Sequence, residues 1–564
     1  MKKRIATVQF STGIDVDANL QKCLHWIAET ASVKPQLIVM PEFCNRLSWY
    51  NNSDEVYEAA VSVDGPFLQQ IAQSAKQQQT YIVINCTTKR ANRRVTITSF
   101  LYGPDGELLV EADKQTLMGH ENIHFSRAEQ ITPVVETAVG KLGIYACRDG
   151  VTMETARSLA LRGAQTFCHS LNSFATDEAS LHVPTRGLEN RCFVVSSNKV
   201  GPLIPEHLLD DVAQKLGIPA HFLYGVGESQ IMAPDGTILA KADRESEMFV
   251  WADVDVSLAD AKLRPDGTDI FAHRRPALYQ AIATEPIPDD HQPSAELLTA
   301  VYQPTQNGEA AIAEVSNAIQ EAIAKGVELL VLPELFCLPD GMVDDVETAV
   351  PICQSAKTSI QQACQGSDLL VCTSLVEQQD GHIYHMGVLL NQDGVLFRQP
   401  QLHRTQRHPW ADLGDEIRVC ELPWGKCGLV VGDDAIYPEV AKVLAIYGAD
   451  VLAIPFHAQE AWELSHGIVD RSAENRVCVV AATRPQSFGG SVIITQHQDF
   501  TIFTQWETRQ FDGTINQPII TRAVNEAGLT IAPVHPATAR MKLMSQKTDL
   551  INGRPWFLVN EIVS

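Results

Sequence analysis

The chain repeats itself. Residues 3–43, ending in LIVMPEF, are answered by residues 295–336, ending in LLVLPELF. GKLGIYACRDGVTMETARSLALRGAQ (140–165) is answered by GKCGLVVGDDAIYPEVAKVLAIYGAD (425–450), and RGLENRCFVVSSN (186–198) by RSAENRVCVVAAT (471–483). Cys147 thereby faces Gly432, Gly163 faces Gly448 and Arg186 faces Arg471, a constant offset of 285. The tails also rhyme, TDIFAHRRP from Thr268 and TDLINGRP from Thr548. Such a repeat commits the chain to building one fold twice.

Between the copies, residues 283–294 (ATEPIPDDHQPS) are rich in proline and acid, which predicts an extended, solvated linker. The expected domains are 1–282 and 295–564. Each opens as strand, helix of about five turns and second strand ending in Pro-Glu, a β-α-β unit. The directly successive strands YIVINCTT, TITSFLYGPDG and GELLVEAD add antiparallel pairing, so layered α/β with helices outside is expected. A net charge of −24 repels phosphate backbones and anionic membranes, so neither nucleic acid nor membrane is an expected partner. No eighteen-residue apolar run or signal-peptide core occurs, and a cytoplasmic location is expected. Thirteen cysteines without a CxxC pair predict neither a disulfide framework nor a zinc ribbon.

Three residues fall where strands should end. Glu42 follows LIVMP, Lys114 follows GELLVEAD, and Cys147 follows KLGIYA at a sharp turn, CRDG, before a helix. Singly, a loop glutamate, a solvated lysine and a buried cysteine are ordinary. Together they form a nucleophilic set: a carboxylate to take the thiol proton, an ammonium to hold negative charge, and a sulfur to attack. A strand-to-helix turn also aims backbone N–H groups at the nucleophile.

With LIVMPEF, the strand ending in Lys114, GHENIHF, IYACRDG, RGLENRCFVVSSN, PDGTILAKA and HRRPALY in order, the first copy resembles the nitrilase, or carbon-nitrogen hydrolase, superfamily. That resemblance implies two tandem four-layer α-β-β-α sandwiches and a Glu42–Lys114–Cys147 triad supported by Glu121. It implies no metal and no organic cofactor. The chemistry expected is thioester formation on Cys147, with Glu42 as general base and the oxyanion held by Lys114 and the Arg148 backbone N–H.

The second copy serves as an internal control. Gly432 stands at the nucleophile's position, and counting eight residues beyond Gly394, as Lys114 lies beyond Gly106, gives Leu402 beside His403. Only Glu334 survives. The second domain is therefore expected to be a degenerate pseudo-hydrolase. The family it resembles pairs subunits across a face built from the helix after the nucleophile and the ENR segment, both kept in the second copy. The resemblance thus implies that it supplies a partner face within one chain, an intramolecular pseudo-dimer open to further homo-oligomerisation. Arg148-Asp149-Gly150 after the nucleophile resembles the amidase and carbamoylase branches, which favours a small amide or N-carbamoyl substrate. A nitrile substrate, acyl transfer to an amine, and a non-catalytic scaffold remain the alternatives. His120, Arg148 and the stretch HSLNSFATDE (169–178) are candidate substrate contacts.

Overall fold

The computed structural model describes residues 2–500, 506–524 and 526–564. Two compact units result: Met1–Ala261 with Asp499–Gln517 and Leu543–Ile562, and Lys262–Gln498 with Pro518–Lys542 and Val563–Ser564.

The first unit holds two six-stranded sheets. In one, Lys3–Gln9, Leu37–Val39 and Tyr81–Lys89 run parallel, flanked by the antiparallel strands Met248–Val254 on one side and Val95–Tyr102 then Leu108–Asp113 on the other. In the other, Gly140–Ala146, Thr166–Ser170 and Phe193–Ser197 run parallel, flanked by Val135–Thr137 and by Gln230–Met232 then Ile238–Lys241. Ile5, Leu37, Val39, Val83, Ile144, Cys168 and Val195 fill the space between the sheets. The helices Val16–Thr30, whose first turn is capped by the Asp15 side chain, and Pro66–Gln78 cover the outer face of the first sheet through Leu20, Cys23, Ile27, Leu68 and Ile71. Met153–Leu161 and Val183–Asn190 lie against the second. The unit is a four-layer α-β-β-α sandwich.

The second unit repeats this strand for strand. Its sheets run Gly394–Pro400, His382–Asn391, Leu370–Gln379, Leu329–Glu334, Leu297–Gln303, Gly528–Val534 and Val419–Leu422, Gly425–Leu429, Val451–Pro455, Cys478–Ala482, Val492–Thr495, Ile519–Arg522. The two-fold expectation of the repeat is thus met by two complete folds. Of the thirteen cysteines, all free, only Cys420 is even partly exposed, as expected of small apolar core residues.

The rhyming tails keep equivalent hydrogen bonds. In the first unit the Thr548 hydroxyl accepts from Gly119 N (2.8 Å); in the second the Thr268 hydroxyl accepts from Gln406 N (2.9 Å). Each unit takes this motif from the other repeat. Among the described residues no helix is long and apolar enough to cross a membrane.

Candidate active site

Three strand ends converge in the first unit. Leu37–Val39 runs out into Met40-Pro41-Glu42, and hydrogen bonds tie this exit to the facing sheet: Ser170 Oγ donates to Met40 O (2.8 Å), and Glu42 N to Leu171 O (3.0 Å). Phe43, in the left-handed region at φ 56°, turns the chain sharply after Glu42. Asn85 Oδ1 accepts from Phe43 N (3.1 Å), and the buried Lys199 ammonium donates to Phe43 O (3.0 Å) and Thr12 Oγ1 (2.6 Å).

Lys114, at the end of Leu108–Asp113, is buried and points its ammonium between two carboxylates. Nζ lies 2.8 Å from Glu42 Oε1 and 2.9 and 2.8 Å from the two oxygens of Glu121, which also accepts from Met118 N (2.8 Å). Glu42 Oε2 is buried without a hydrogen-bond partner among the described residues. Burial raises the Glu42 carboxyl to about 7, against the pull of Lys114. Burial alone would lower the Lys114 ammonium, but Glu121 and Glu42 hold it well above its ordinary range.

Cys147 ends Gly140–Ala146 and opens the turn Cys147–Gly150 at φ 43°, a strained conformation that lifts its side chain out of the strand direction. His169 Nε2 donates to the Cys147 carbonyl (3.0 Å), and burial holds this imidazole neutral. Gly150 must be glycine: a Cβ there would lie 2.6 Å from His169 Cε1. Burial and then the Glu42 carboxylate push the Cys147 thiol well above its usual range, although Lys114 pulls it down. The resting sulfur is therefore a thiol rather than a free thiolate.

The three expected residues thus come together, with Glu121 against the lysine. Arg148 turns its side chain away, donating from Nη2 to Asp549 O (2.8 Å). A cavity of about 400 Å³ reaches Cys147 and Glu121. His120, Asn172 and Phe174, all among the expected substrate contacts, line it, but most of its wall is apolar: Trp49, Met118, Leu203, Ile204, Val212, Leu216 and Leu223.

Two buried carboxylates were read from the sequence only as members of longer segments, Asp149 in Arg148-Asp149-Gly150 and Glu178 in residues 169–178, with no role of their own. Asp149 accepts from Gln115 N (3.1 Å), Thr116 N (2.7 Å) and Thr116 Oγ1 (2.7 Å), clamping the chain just after Lys114. Glu178 is buried, accepts from Ser173 Oγ (3.1 Å) and adds negative potential at Cys147. The repeat carried the signal for both, since the offset of 285 pairs Asp149 with Asp434 and Glu178 with Glu463.

A carbon-nitrogen hydrolase family model matches residues 4–262 and again 298–527. The chain belongs to the carbon-nitrogen hydrolase family. It is similar to a nitrilase of Pyrococcus abyssi (27% identical over 278 residues, 49% of this chain and 98% of that protein) and to a chloroplastic omega-amidase of Arabidopsis thaliana (26% over 296 residues, 50% and 74%). An amidase structure from Nesterenkonia sp. AN1, with butyramide bound, overlays at a TM-score of 0.38 and 21% identity, covering 46% of this chain and 93% of that one.

In the second carbon-nitrogen hydrolase fold the corresponding site is filled differently. Asp434 accepts from Leu402 N (2.8 Å) and His403 N (3.0 Å), as Asp149 does from Gln115 and Thr116, so Leu402 is the counterpart of Gln115. The lysine's counterpart is Gln401, whose N donates to His385 O (2.9 Å) as Lys114 N donates to Ile97 O (2.8 Å). Counting from the glycine misplaced it by one because the second hairpin is tighter: Asn391 pairs directly with Gly394, whereas Tyr102 pairs with Leu108.

Glu334 meets Arg407 Nη1 at 2.6 Å and His408 Nε2 at 3.3 Å. Burial alone would raise its carboxyl, but Arg407 and His408 hold it well below the carboxylate range. A Cβ on Gly432, at φ 54°, would lie 2.5 Å from Glu334 Oε2. Glu334, His385 and His408 converge as a potential metal-ligand set, yet Arg407 already neutralises the one carboxylate among them.

Proposed function

We propose that the first unit hydrolyses the C–N bond of a small uncharged amide through a thioester on Cys147, with Glu42 as base, Lys114 as oxyanion donor and Glu121 as the group orienting Lys114. The observation that carries this reading is Glu42 itself: one oxygen is held by Lys114, the other is bare, and the carboxyl is poised near 7, where a general base is most effective. Glu42 Oε2 takes the Cys147 proton as sulfur bonds to the carbonyl carbon. Lys114 and the Arg148 backbone N–H hold the oxyanion. Collapse expels ammonia, which receives the proton from Glu42. Water then adds to the thioester, giving its proton to Glu42, and the sulfur departs and recovers it, leaving the free acid.

The apolar wall supports an uncharged acyl group. Among the described residues no arginine or lysine lines the apolar wall away from the triad, so the carboxylate of an N-carbamoyl amino acid finds no cation there. A nitrile is the second reading, supported by relatives named nitrilases. Intact-mass measurement after incubation with matched amides and nitriles tests both: an acyl adduct on Cys147, absent in Cys147→Ala, is expected with amides. Adducts from nitriles alone would replace the first reading with the second, and no adduct from either would remove both.

For the second unit we infer a structural role, that of a partner subunit fused into the same chain. It has glycine for the nucleophile, glutamine for the lysine, and a glutamate kept ionised by Arg407 that has no tendency to accept a proton.

A further inference from the structure

The two repeats differ most in two loops, and both bear on the cavity beside Cys147. Ser229 Oγ accepts from Asn198 N (2.9 Å) as Ser491 Oγ accepts from Thr483 N (3.0 Å), which fixes the first correspondence: thirty residues intervene in the first copy and seven in the second. From the longer loop come Leu203, Ile204, Val212, Leu216 and Leu223 of the cavity wall. In the second copy, conversely, Val492–Thr495 and Ile519–Arg522 are joined by 23 residues where the first copy joins Gln230–Met232 to Ile238–Lys241 by five. Part of this long connection, residues 506–517, is packed into the first unit.

The packing is specific. Asp177 accepts from the backbone N–H groups of Ile515 (3.0 Å), Asn516 and Gln517 (2.8 Å), and Thr176 N donates to Gly513 O (2.9 Å). At Gly513, with φ 92°, a Cβ would meet Thr176 Cγ2 at 3.1 Å and Phe222 Cε1 at 3.2 Å. The Phe511 ring stands edge-on to Phe222 (4.8 Å between centroids) and Trp506 (4.6 Å) and tilted against Phe174 (6.4 Å). Phe511, Ile515 and Met544 form one apolar cluster with Met118 and Phe174, both cavity-lining residues, and with Val151 just beyond the Cys147 turn. Ser545, from the tail, lines the cavity directly.

We propose that residues 506–517, supplied by the second copy, are a specificity element of the first copy's active site. Phe511 holds Phe174 and Phe222 in place, and so sets the apolar space available to the acyl chain of the amide. Phe511 touches no reacting atom; it is a positioning residue. This rests on the amide-hydrolase reading and gives the degenerate copy a part in substrate choice.

The test uses the full-length chain and propionamide against hexanamide. In Phe511→Ala the ratio of kcat/KM for hexanamide to that for propionamide falls about tenfold, through KM rather than kcat, and Phe511→Leu restores most of it. An unchanged ratio, or an equal loss on both amides, overturns the proposal. Protection of Cys147 from iodoacetamide by the same two amides separates the two ideas, because it needs binding and no turnover. Hexanamide is expected to protect wild type at lower concentration than propionamide, with the gap narrowed in Phe511→Ala. That result without hydrolysis would sink the amide-hydrolase reading and leave the specificity element standing; equal gaps in the two proteins would sink the element. Should Phe511→Ala lose its native circular dichroism, Phe511→Leu carries both measurements with a smaller shift in the same direction.

Discussion

Lys114 Nζ lies 2.8 Å from Glu42 Oε1, in a place so buried that neither side chain reaches solvent. The second-copy glutamate meets an arginine instead, and the two carboxyls move in opposite directions: Glu42 rises to about 7, and Glu334 falls well below its ordinary value. One carboxyl is placed to exchange a proton near neutrality; the other is held ionised by Arg407 and His408.

The first prediction follows from that value. Glu42 must be ionised to accept the thiol proton, so kcat/KM rises with pH through about 7 and falls about tenfold per unit below about pH 6. A flat profile between about pH 5.5 and 8 would remove Glu42 as the base. Folding also favours the protonated carboxyl, so this group's contribution to stability is present in acid and lost as pH rises through about 7; Glu42→Gln abolishes that dependence in urea titrations.

Lys114→Met leaves the Glu42 and Glu121 carboxylates buried without their cation. A loss of about 3–5 kcal/mol is expected near pH 7.5, shrinking on acidification as the carboxylates take up protons. Urea midpoints at about pH 7.5 and 5.5 measure it; equal losses at both would show that the cation does not offset buried charge there.

Asp149→Ala removes three hydrogen bonds that hold Gln115 and Thr116 beside Lys114. Stability should fall by about 2–4 kcal/mol and kcat by more than about tenfold, since Lys114 is displaced from the oxyanion position. Asp434→Ala, the same lesion in the second copy, should lower stability and leave kcat within about twofold. Equal effects on kcat from both would contradict the assignment of catalysis to the first unit alone.

Gly432→Cys does not regenerate an active site. A side chain at φ 54° with its Cβ 2.5 Å from Glu334 Oε2 should cost about 2 kcal/mol or more, and a Cys147→Ala/Gly432→Cys double variant should release no ammonia from any amide the wild type cleaves. Ammonia release from it would show that the second site retains more chemistry than its glutamate–arginine pair allows.

The repeat alone determined that the chain builds one layered α/β fold twice, because strand and helix patterns are local and recur at a fixed offset. Glu42, Lys114 and Cys147 were singled out because each follows a predicted strand and because the first copy resembles the carbon-nitrogen hydrolases; the structure brings the three into one neighbourhood. The counterpart of Lys114 was misplaced by one residue, as Leu402 rather than Gln401, because a hairpin's turn length is set by its pairing and not by the position of its glycine. Other features lay beyond any local pattern. That Glu42 has one bare oxygen, that Asp149 clamps the chain after Lys114, and that Phe511 stands against Phe174 depend on contacts between residues 33 to 337 positions apart. Burial and charge compensation are properties of assembled neighbours, so only the tertiary structure could decide which of two similar glutamates is raised to about 7 and which is held well below the carboxylate range.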